Sequence, residues 1–514
     1  MTDEPTPKTS RHLDRWRESA DDGITVVEDF VPAWRSLAWR LGQAYWHQRG
    51  LQAFTTNAVP NVVTNDGYLA TATAETLLAS CKAADADGTL ETEIRVMELA
   101  VGLGQHARLF LRRFVELCAA EKLDYADRLV FFATDLSRAT LDALRTSPTL
   151  RVPGVRVRLG QVDATEPSRF TDLESGEVET LAELRLIRTN YLLCVLPFML
   201  LMRRGGVWCE QYVRTRIQDV VNARKVLGER LDEIVTAAGK GDEDALQRIA
   251  PHEYLFSTER IYVPIADEEL AMAPAATSFF DAARAAVDDE GVERTLFSHG
   301  ALRSLDRSLD LLADDGFMIH SDYGWRTLKA SSDIGNFQYF SGSTAIGLNF
   351  PLVEHFVESC RDVPGRVVAP PGDEKSPILT RLVSRRAVPA AEEAFAAVFD
   401  GAAHAAYWDT INGLSSFEEK LEGDAILARF EEASERFPFN WLVLGQGASA
   451  ATFAAKNPSR GLELAMKGLE ICPAASAGLW CEYGDALYAL ERYEQAHEAF
   501  ERAFQINPED PRST

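Results

Sequence analysis

The residues best placed to do chemistry lie in one segment, IRVMELAVGLGQHARLF, from Ile94 to Phe110. A β-rich run ends in the carboxylate of Glu98, the small-residue turn Ala100-Val101-Gly102-Leu103-Gly104 follows, and an amphipathic helix begins. Gly102 and Gly104 lack a Cβ, so the backbone can turn sharply and let a ligand approach at the carboxyl end of a strand, where open α/β sheets bind cofactors. The spacing is E-x-A-x-G-x-G instead of the G-x-G-x-x-G of dinucleotide binders, and no P-loop lysine follows. NAD and ATP therefore fit less well than S-adenosylmethionine. By itself such a turn also describes a tight connection in a ligand-free sheet. Gln105 and His106, at the head of the helix, can reach a cofactor carboxylate through helix N-terminal geometry, although such residues are more often plain surface.

Two further carboxylates fall where a nucleoside would need them. Asp135 ends the run LVFFATD, at a strand tip from which a carboxylate can accept both ribose hydroxyls, and Asp163 ends RLGQVD, within reach of an adenine amino group. Each taken alone is more often a helix cap or a turn residue. Their order after Glu98 favours the ligand reading.

These residues need a scaffold, and the chain supplies one by alternation. From Ile94, short apolar runs (IRVMELA, LVFFATD, VRVRLGQVD, RLIRTNYLLCVL, GFMIHSDYG) alternate with helical segments, among them one from about residue 104 to 122 and one from about residue 138. That pattern predicts an α/β fold with a mostly parallel, Rossmann-like sheet covered by helices on both faces. Five parts are expected: a polar N-terminal segment (1–22), an N-terminal helical region (23–93), the α/β domain (94–361) with an insertion at about 219–293, a connection rich in Pro, Gly and charge (362–404), and a helical tail (405–514). The tail repeats. Pro438, Pro473 and Pro508 recur every 35 residues, each closing a helical segment. Trp480, Tyr483, Gly484, Leu487, Ala496, Phe500, Ala503 and Pro508 carry the signature spacings of a tetratricopeptide repeat, and the unit upstream keeps little beyond Ala465 and Pro473.

Taken together, ELAVGLG, TNYLLCVLP with GGVWCEQYV, LADDGFMIHSDYG and FSGSTAIGLNFPLVEHF resemble the MidA family of S-adenosylmethionine-dependent methyltransferases, which includes the mitochondrial protein-arginine methyltransferase needed for respiratory complex I assembly. The resemblance covers about residues 40 to 360. The family's N-E-x-x-D-A-x-P turn and W-x-E strand are matched by Asn190, Pro197, Trp208 and Glu210, whereas Tyr191 and Cys194 stand where the family has Glu and Asp, and Ala100 replaces the first glycine of the cofactor turn. The family's I-D-Y-G corresponds to Ser321, Asp322, Tyr323 and Gly324, and TNDGYLATATAETLL is similar to its D-F-I-T-S-P-E segment. The resemblance implies S-adenosyl-L-methionine as cofactor, held by Glu98, Ala100, Gly102, Gly104, Gln105, Asp135 and Asp163, and makes Asp322, Tyr323 and Asn190 the surviving catalytic candidates. Transfer from a sulfonium is an in-line displacement that depends mainly on positioning in a dry pocket. An arginine or amine acceptor would also call for the missing carboxylates. Plainer roles exist for all three candidates: a turn residue, a packed aromatic and a strand-end cap.

Composition narrows the partners. A net charge of −25 with pI about 4.9 disfavours nucleic acid and anionic membrane and favours a basic partner. Seven scattered cysteines without C-x-x-C spacing suggest neither a disulfide framework nor a metal site and fit a reducing, cytoplasmic, bacterial-type setting. The longest apolar run, Tyr191 to Met202, is short and contains Pro197, so no membrane span is expected. The leading expectation is methylation of a protein or peptide, presented in part by the tail, by a chain that could also form a homodimer. The alternatives are a catalytically degenerate methyltransferase fold acting as an assembly factor, and a small-molecule methyltransferase.

Overall fold

The computed structural model describes residues 25–512 except 57, 58, 60, 61, 205, 266–284, 286, 287, 289–292, 332, 333, 341 and 416–422. The polar segment 1–22 and the later part of the 219–293 insertion thus lie outside the described residues. The described chain divides into two compact units, one formed by residues 1–48, 191–306 and 323–364, the other by residues 49–190, 307–322 and 365–514.

The first unit is built on antiparallel strands. Strand β1 (Thr25–Pro32) pairs with β9 (Val207–Ile217), which also pairs with β8 (Met199–Arg204) and β10 (Phe256–Pro264), and β11 (Arg294–Phe297) extends the sheet from β8. Its core gathers around Trp39 of helix α1 (Leu37–Arg49), whose ring meets Phe198 and Phe337 edge-on at centroid distances of 4.7 and 5.4 Å. Sequence reading expected an opening helix here and did not foresee the sheet. The region before α1 is a strand because its backbone pairs with β9, and Glu28 of β1, which accepts from Leu37 N–H and pairs with Arg40 at 2.6 Å, joins strand to helix.

The second unit carries the expected α/β core. Its nine strands run in the order β17-β18-β12-β7-β2-β3-β4-β5-β6. Strands β2 (Ile94–Leu99), β3 (Leu129–Asp135), β4 (Arg156–Gln161), β7 (Leu184–Asn190) and β12 (Leu312–Asp322) pair in parallel. Strands β5 (Arg169–Asp172), β6 (Val178–Thr180), β17 (Arg366–Val368) and β18 (Leu379–Ser384) add antiparallel edges. From β2 the chain proceeds outward through α4 (Gln105–Glu121), β3, α5 (Arg138–Thr146) and β4, then returns to β7 on the opposite side of β2 and goes on to β12. Right-handed crossovers place the helices of these two directions on opposite faces and leave a crevice at the carboxyl ends of β2 and β7, where the order reverses.

The same unit contains α2 (Gln52–Thr55), α3 (Tyr68–Ala86) and the helical tail: α10 (Pro389–Val398), α11 (Gly401–Ser415), α12 (Gly423–Arg436), α13 (Trp441–Ser449), α14 (Pro458–Ile471), α15 (Ala477–Ala489) and α16 (Tyr493–Ile506). Helices α12, α14 and α16 each end two residues before a proline of the 35-residue series. Helices α15 and α16 form the last repeat, with Gly484 at their crossing: a Cβ there would lie 2.8 Å from Phe500 Cε1. Ala496 and Ala503 are buried and Trp480 and Tyr483 pack beside them. Replacing Gly484 by leucine is expected to overpack this crossing and to lower the stability of the unit by about 1–3 kcal/mol. Urea unfolding would show this as a lower midpoint at an unchanged slope, and an unchanged midpoint would mean that the crossing is not close.

Candidate functional site

Strand β2 is buried along its length, and it ends where the sheet order reverses. The turn that follows is left-handed at three alternate residues: Ala100 (φ 57°), Gly102 (φ 51°) and Gly104 (φ 69°). Two of them are glycine, which adopts such angles without strain, and Ala100 is not. At the end of the neighbouring strand β7, Tyr191 is also left-handed (φ 49°). Non-glycine residues held in this region cost about 1–2 kcal/mol each and concentrate at functional sites. Here two of them follow the carboxyl ends of two adjacent central strands.

The turn is pinned from β3. Asp135 accepts from Gly102 N–H through one oxygen at 3.2 Å and from Ser137 N–H through the other at 2.9 Å, and Val101 N–H donates to Thr134 O at 2.8 Å. Gly104 opens α4, and a Cβ on it would lie 3.1 Å from Leu144 Cδ2 and 3.2 Å from Leu150 Cδ2. A Cβ on Gly102 would lie 3.2 Å from Phe54 Cζ of α2.

Below the turn is a buried polar cluster. Glu98 is 2% exposed, its Oε1 lies 3.3 Å from His106 Nδ1 and accepts from Asn190 Nδ2 at 3.4 Å. Arg188 of β7 is 1% exposed and donates to Ile319 O (2.9 Å), Asn190 Oδ1 (2.6 Å), Ser321 Oγ (2.7 Å) and His106 Nε2 (3.5 Å). Ser321 in turn shares a hydrogen bond of 2.8 Å with Thr380 of β18. Burial pushes the Arg188 guanidinium down to about 9, against the attraction of Glu98, so it stays charged at neutral pH. Burial also lowers His106, outweighing Glu98, and the neutral ring with its proton on Nδ1 suits both of its neighbours.

The sequence candidates separate as follows. Glu98, Ala100, Gly102, Gly104, Asp135 and Asn190 come together at the ends of β2, β3 and β7. Gln105 is fully buried, and its Nε2 donates to Ile471 O of the tail at 3.1 Å while its Oε1 has no hydrogen-bond partner among the described residues. Asp163 is exposed, and its Oδ1 accepts from the backbone and hydroxyl of Thr165, both at 2.8 Å, which is the turn role. Asp322 ends β12 and is buried at 1% exposure. Tyr323 belongs to the first unit, where its ring lies 6.2 Å from that of Tyr191; Cys194, Trp208 and Glu210 also lie in that unit and are buried. Arg188 and Phe54 were missed. A charged residue in the middle of LRLIRTN, an otherwise apolar central strand, was the available signal for the first; nothing in LQAFTT marked the second.

The cradle suits a small nucleoside thioether. Gly102 has no Cβ, so its backbone admits a close approach, which Phe54 makes here; Asp135 stands at the tip of β3, and the orphaned Gln105 Oε1 is an acceptor suited to an ammonium. Among the described residues no cluster of His, Cys, Asp and Glu could hold a metal ion, and no helix is long and apolar enough to cross a membrane. None of the seven cysteines forms a disulfide among the described residues.

Comparisons with known proteins add the following. Residues 477–510 match the tetratricopeptide repeat family model. No curated protein matches the chain. Among solved structures the chain is similar to an uncharacterised ACR, COG1565 superfamily protein from Burkholderia thailandensis, with 17% identity, a TM-score of 0.38 and coverage of 69% of this chain and 78% of that one. It is also similar to a COG1565 superfamily member from the same organism bound to S-adenosyl-homocysteine, with 18% identity, a TM-score of 0.38 and the same coverage.

The lowered His106 has a consequence for stability. Its folded pKa lies below the ordinary 6.5, so the unfolded chain takes up the extra proton as pH falls through that value, and stability is lost on the acid side. His106→Gln lacks this proton. The stability gap between wild type and variant should therefore shrink by about 1.4 kcal/mol per pH unit below 6.5, until the folded histidine itself titrates. Urea titrations between neutral pH and pH 5 measure the gap, and a gap independent of pH would show that His106 is not held neutral.

Proposed function

We propose that the chain is an S-adenosylmethionine-dependent methyltransferase of MidA type acting on a protein or peptide. One observation carries the reading: the left-handed turn Ala100–Gly104 at the reversal point of a parallel sheet, with Gly102 N–H fixed by Asp135. Glu98, Ala100, Gly102, Gly104 and Asp135 would hold the cofactor, with Gln105 Oε1 as an acceptor beside the turn. Asp163 contributes only if its turn opens. When bound, the cofactor supplies an activated methyl group on a sulfonium, a good leaving group.

What remains for the protein is to orient the acceptor and exclude water. Asn190, the third candidate, accepts from Arg188 at 2.6 Å and donates to Glu98 at 3.4 Å, so it acts through the buried cluster. A guanidinium fixed beside Asn190 works against a second cation there, which weighs against arginine as the methylated residue. Asp322 and Tyr323 remain the candidates to orient the acceptor, and Asp322→Asn separates charge from shape. The tetratricopeptide match at 477–510 supports a protein partner, and the chain's acidity a basic one.

A second reading is favoured by one feature. The family's two acidic positions are Tyr191 and Cys194 here, and Cys194 is buried. A chain that binds the cofactor without turnover and serves as an assembly factor through its tail is consistent with that loss.

Calorimetry with S-adenosylhomocysteine tests the binding half. Micromolar binding is expected, on the order of 7–8 kcal/mol, and Gly102→Val should abolish it because a β-branched residue fits neither φ 51° nor the space beneath Phe54. Folded wild-type protein and folded variant showing the same affinity would remove the turn from the binding site. Transfer of labelled methyl groups to co-purifying proteins then distinguishes enzyme from scaffold.

A further inference from the structure

The C-terminal ends of two tail helices dock on the segments that flank the Ala100–Gly104 turn. Glycine at position 102 opens a close approach to the backbone, and what makes that approach in this structure is the chain's own Phe54, with ring atoms 3.2 and 3.3 Å from where a Cβ would stand. Phe54 rides on α2, a helix of four residues whose backbone bonds are all local: Ala53 N–H to Gly50 O, Phe54 and Thr55 N–H to Leu51 O, Thr56 N–H to Gln52 O and Val59 N–H to Ala53 O, at 3.1–3.3 Å. So short a helix does not fix its own position. The next side chain ties it to the tail: Thr55 Oγ1, on a residue 8% exposed, donates at 2.8 Å to Ile506 O, the carbonyl of the last residue of α16.

The opposite side of the turn is tied in the same way. Gln105 Nε2 and Arg108 Nε donate to Ile471 O at 3.1 and 3.0 Å, and Arg108 and Arg112 donate to Glu470 O at 2.6 and 2.7 Å. These are the terminal carbonyls of α14, which have no partner within their own helix and carry its negative dipole end. Both walls of the cofactor turn, α2 and the head of α4, thus receive the C-terminal ends of tail helices.

We propose that the docked tail is an autoinhibitory brake: it holds Phe54 over Gly102, and the nucleoside cofactor enters only as α2 lifts off the turn and gives up the Thr55–Ile506 bond. The proposal rests on the reading of the turn as the cofactor site. Because coupling is reciprocal, loosening the tail strengthens cofactor binding and cofactor binding loosens the tail.

The test is calorimetry of the full chain with S-adenosylhomocysteine on wild type, Thr55→Val, Thr55→Ser and Phe54→Ala, each checked for folding by circular dichroism. Valine keeps the shape of threonine and removes the donor, so Thr55→Val should bind about 5-fold more tightly, the scale of one neutral hydrogen bond, while Thr55→Ser stays at the wild-type value. Phe54→Ala should bind about 10-fold more tightly or better, and ligand added to wild type should speed amide exchange in residues 493–506. Binding by the variants alone would support the brake in its strongest form. Equal affinities for wild type and Thr55→Val would overturn the brake and leave the cofactor site standing, as would weaker binding by Phe54→Ala, which would make Phe54 a ligand contact. No binding by any of the four folded proteins would overturn both.

Discussion

A strand that enters a helix through three left-handed residues is the constraint on which the rest of the second unit depends. Ala100, Gly102 and Gly104 hold that geometry because each neighbour is shaped to it: Asp135 takes the Gly102 amide, Leu144 and Leu150 close on Gly104, and Phe54 lies against Gly102. An alanine in the first of these positions is strained, and the strain persists because β2 is buried and paired on both sides, leaving the turn no freedom to relax. The turn is therefore a rigid edge at the reversal point of the sheet, with Phe54 against its middle glycine.

Beneath that edge lies an unusual concentration of buried charge. Arg188 and Glu98 are both almost fully buried, and they are joined through Asn190 and His106 instead of by direct contact. Every donor atom of Arg188 has an acceptor, supplied by strands β7 and β12 and by α4. Such a network is costly to break and has one satisfactory arrangement, so it fixes the relative positions of the strand ends that carry Glu98, Asn190 and Ser321. It also makes Asn190 a member of the scaffold, its carbonyl oxygen accepting from Arg188 and its Nδ2 donating to Glu98.

How much of this was legible in the sequence differs by element. The parallel core followed from its alternation: IRVMELA, LVFFATD and RLIRTNYLLCVL are apolar and separated by amphipathic helices or turns, and they contain β2, β3 and most of β7, which ends at Asn190, short of the expected run. The last repeat was legible because Gly484, Ala496 and Ala503 have to be small where α15 and α16 cross. The antiparallel sheet of the first unit was not. Its strands β8 and β9 lie in the run from Met199 to Ile217, largely buried along both strands, so the two-residue alternation that marks a half-exposed strand is missing. At the site, Glu98, Gly102 and Asp135 could be placed from strand ends, since carboxylates and glycines there have few other reasons to recur in order. Arg188 escaped because a buried cation is visible only once its acceptors are assembled from three distant segments. The docking of the tail escaped for a related reason: its acceptors, Glu470 O, Ile471 O and Ile506 O, are backbone atoms with no signature in side chains.

The central claim is that the Ala100–Gly104 turn is a nucleoside cofactor cradle covered by Phe54. A crystal structure of the full chain grown with S-adenosylhomocysteine tests it most directly. The account predicts ligand density against the turn, ribose hydroxyls on Asp135, and Phe54 withdrawn from Gly102. Density at another place, or a fully ligated protein with Phe54 still seated on Gly102 and Asp135 without a ligand contact, would contradict it.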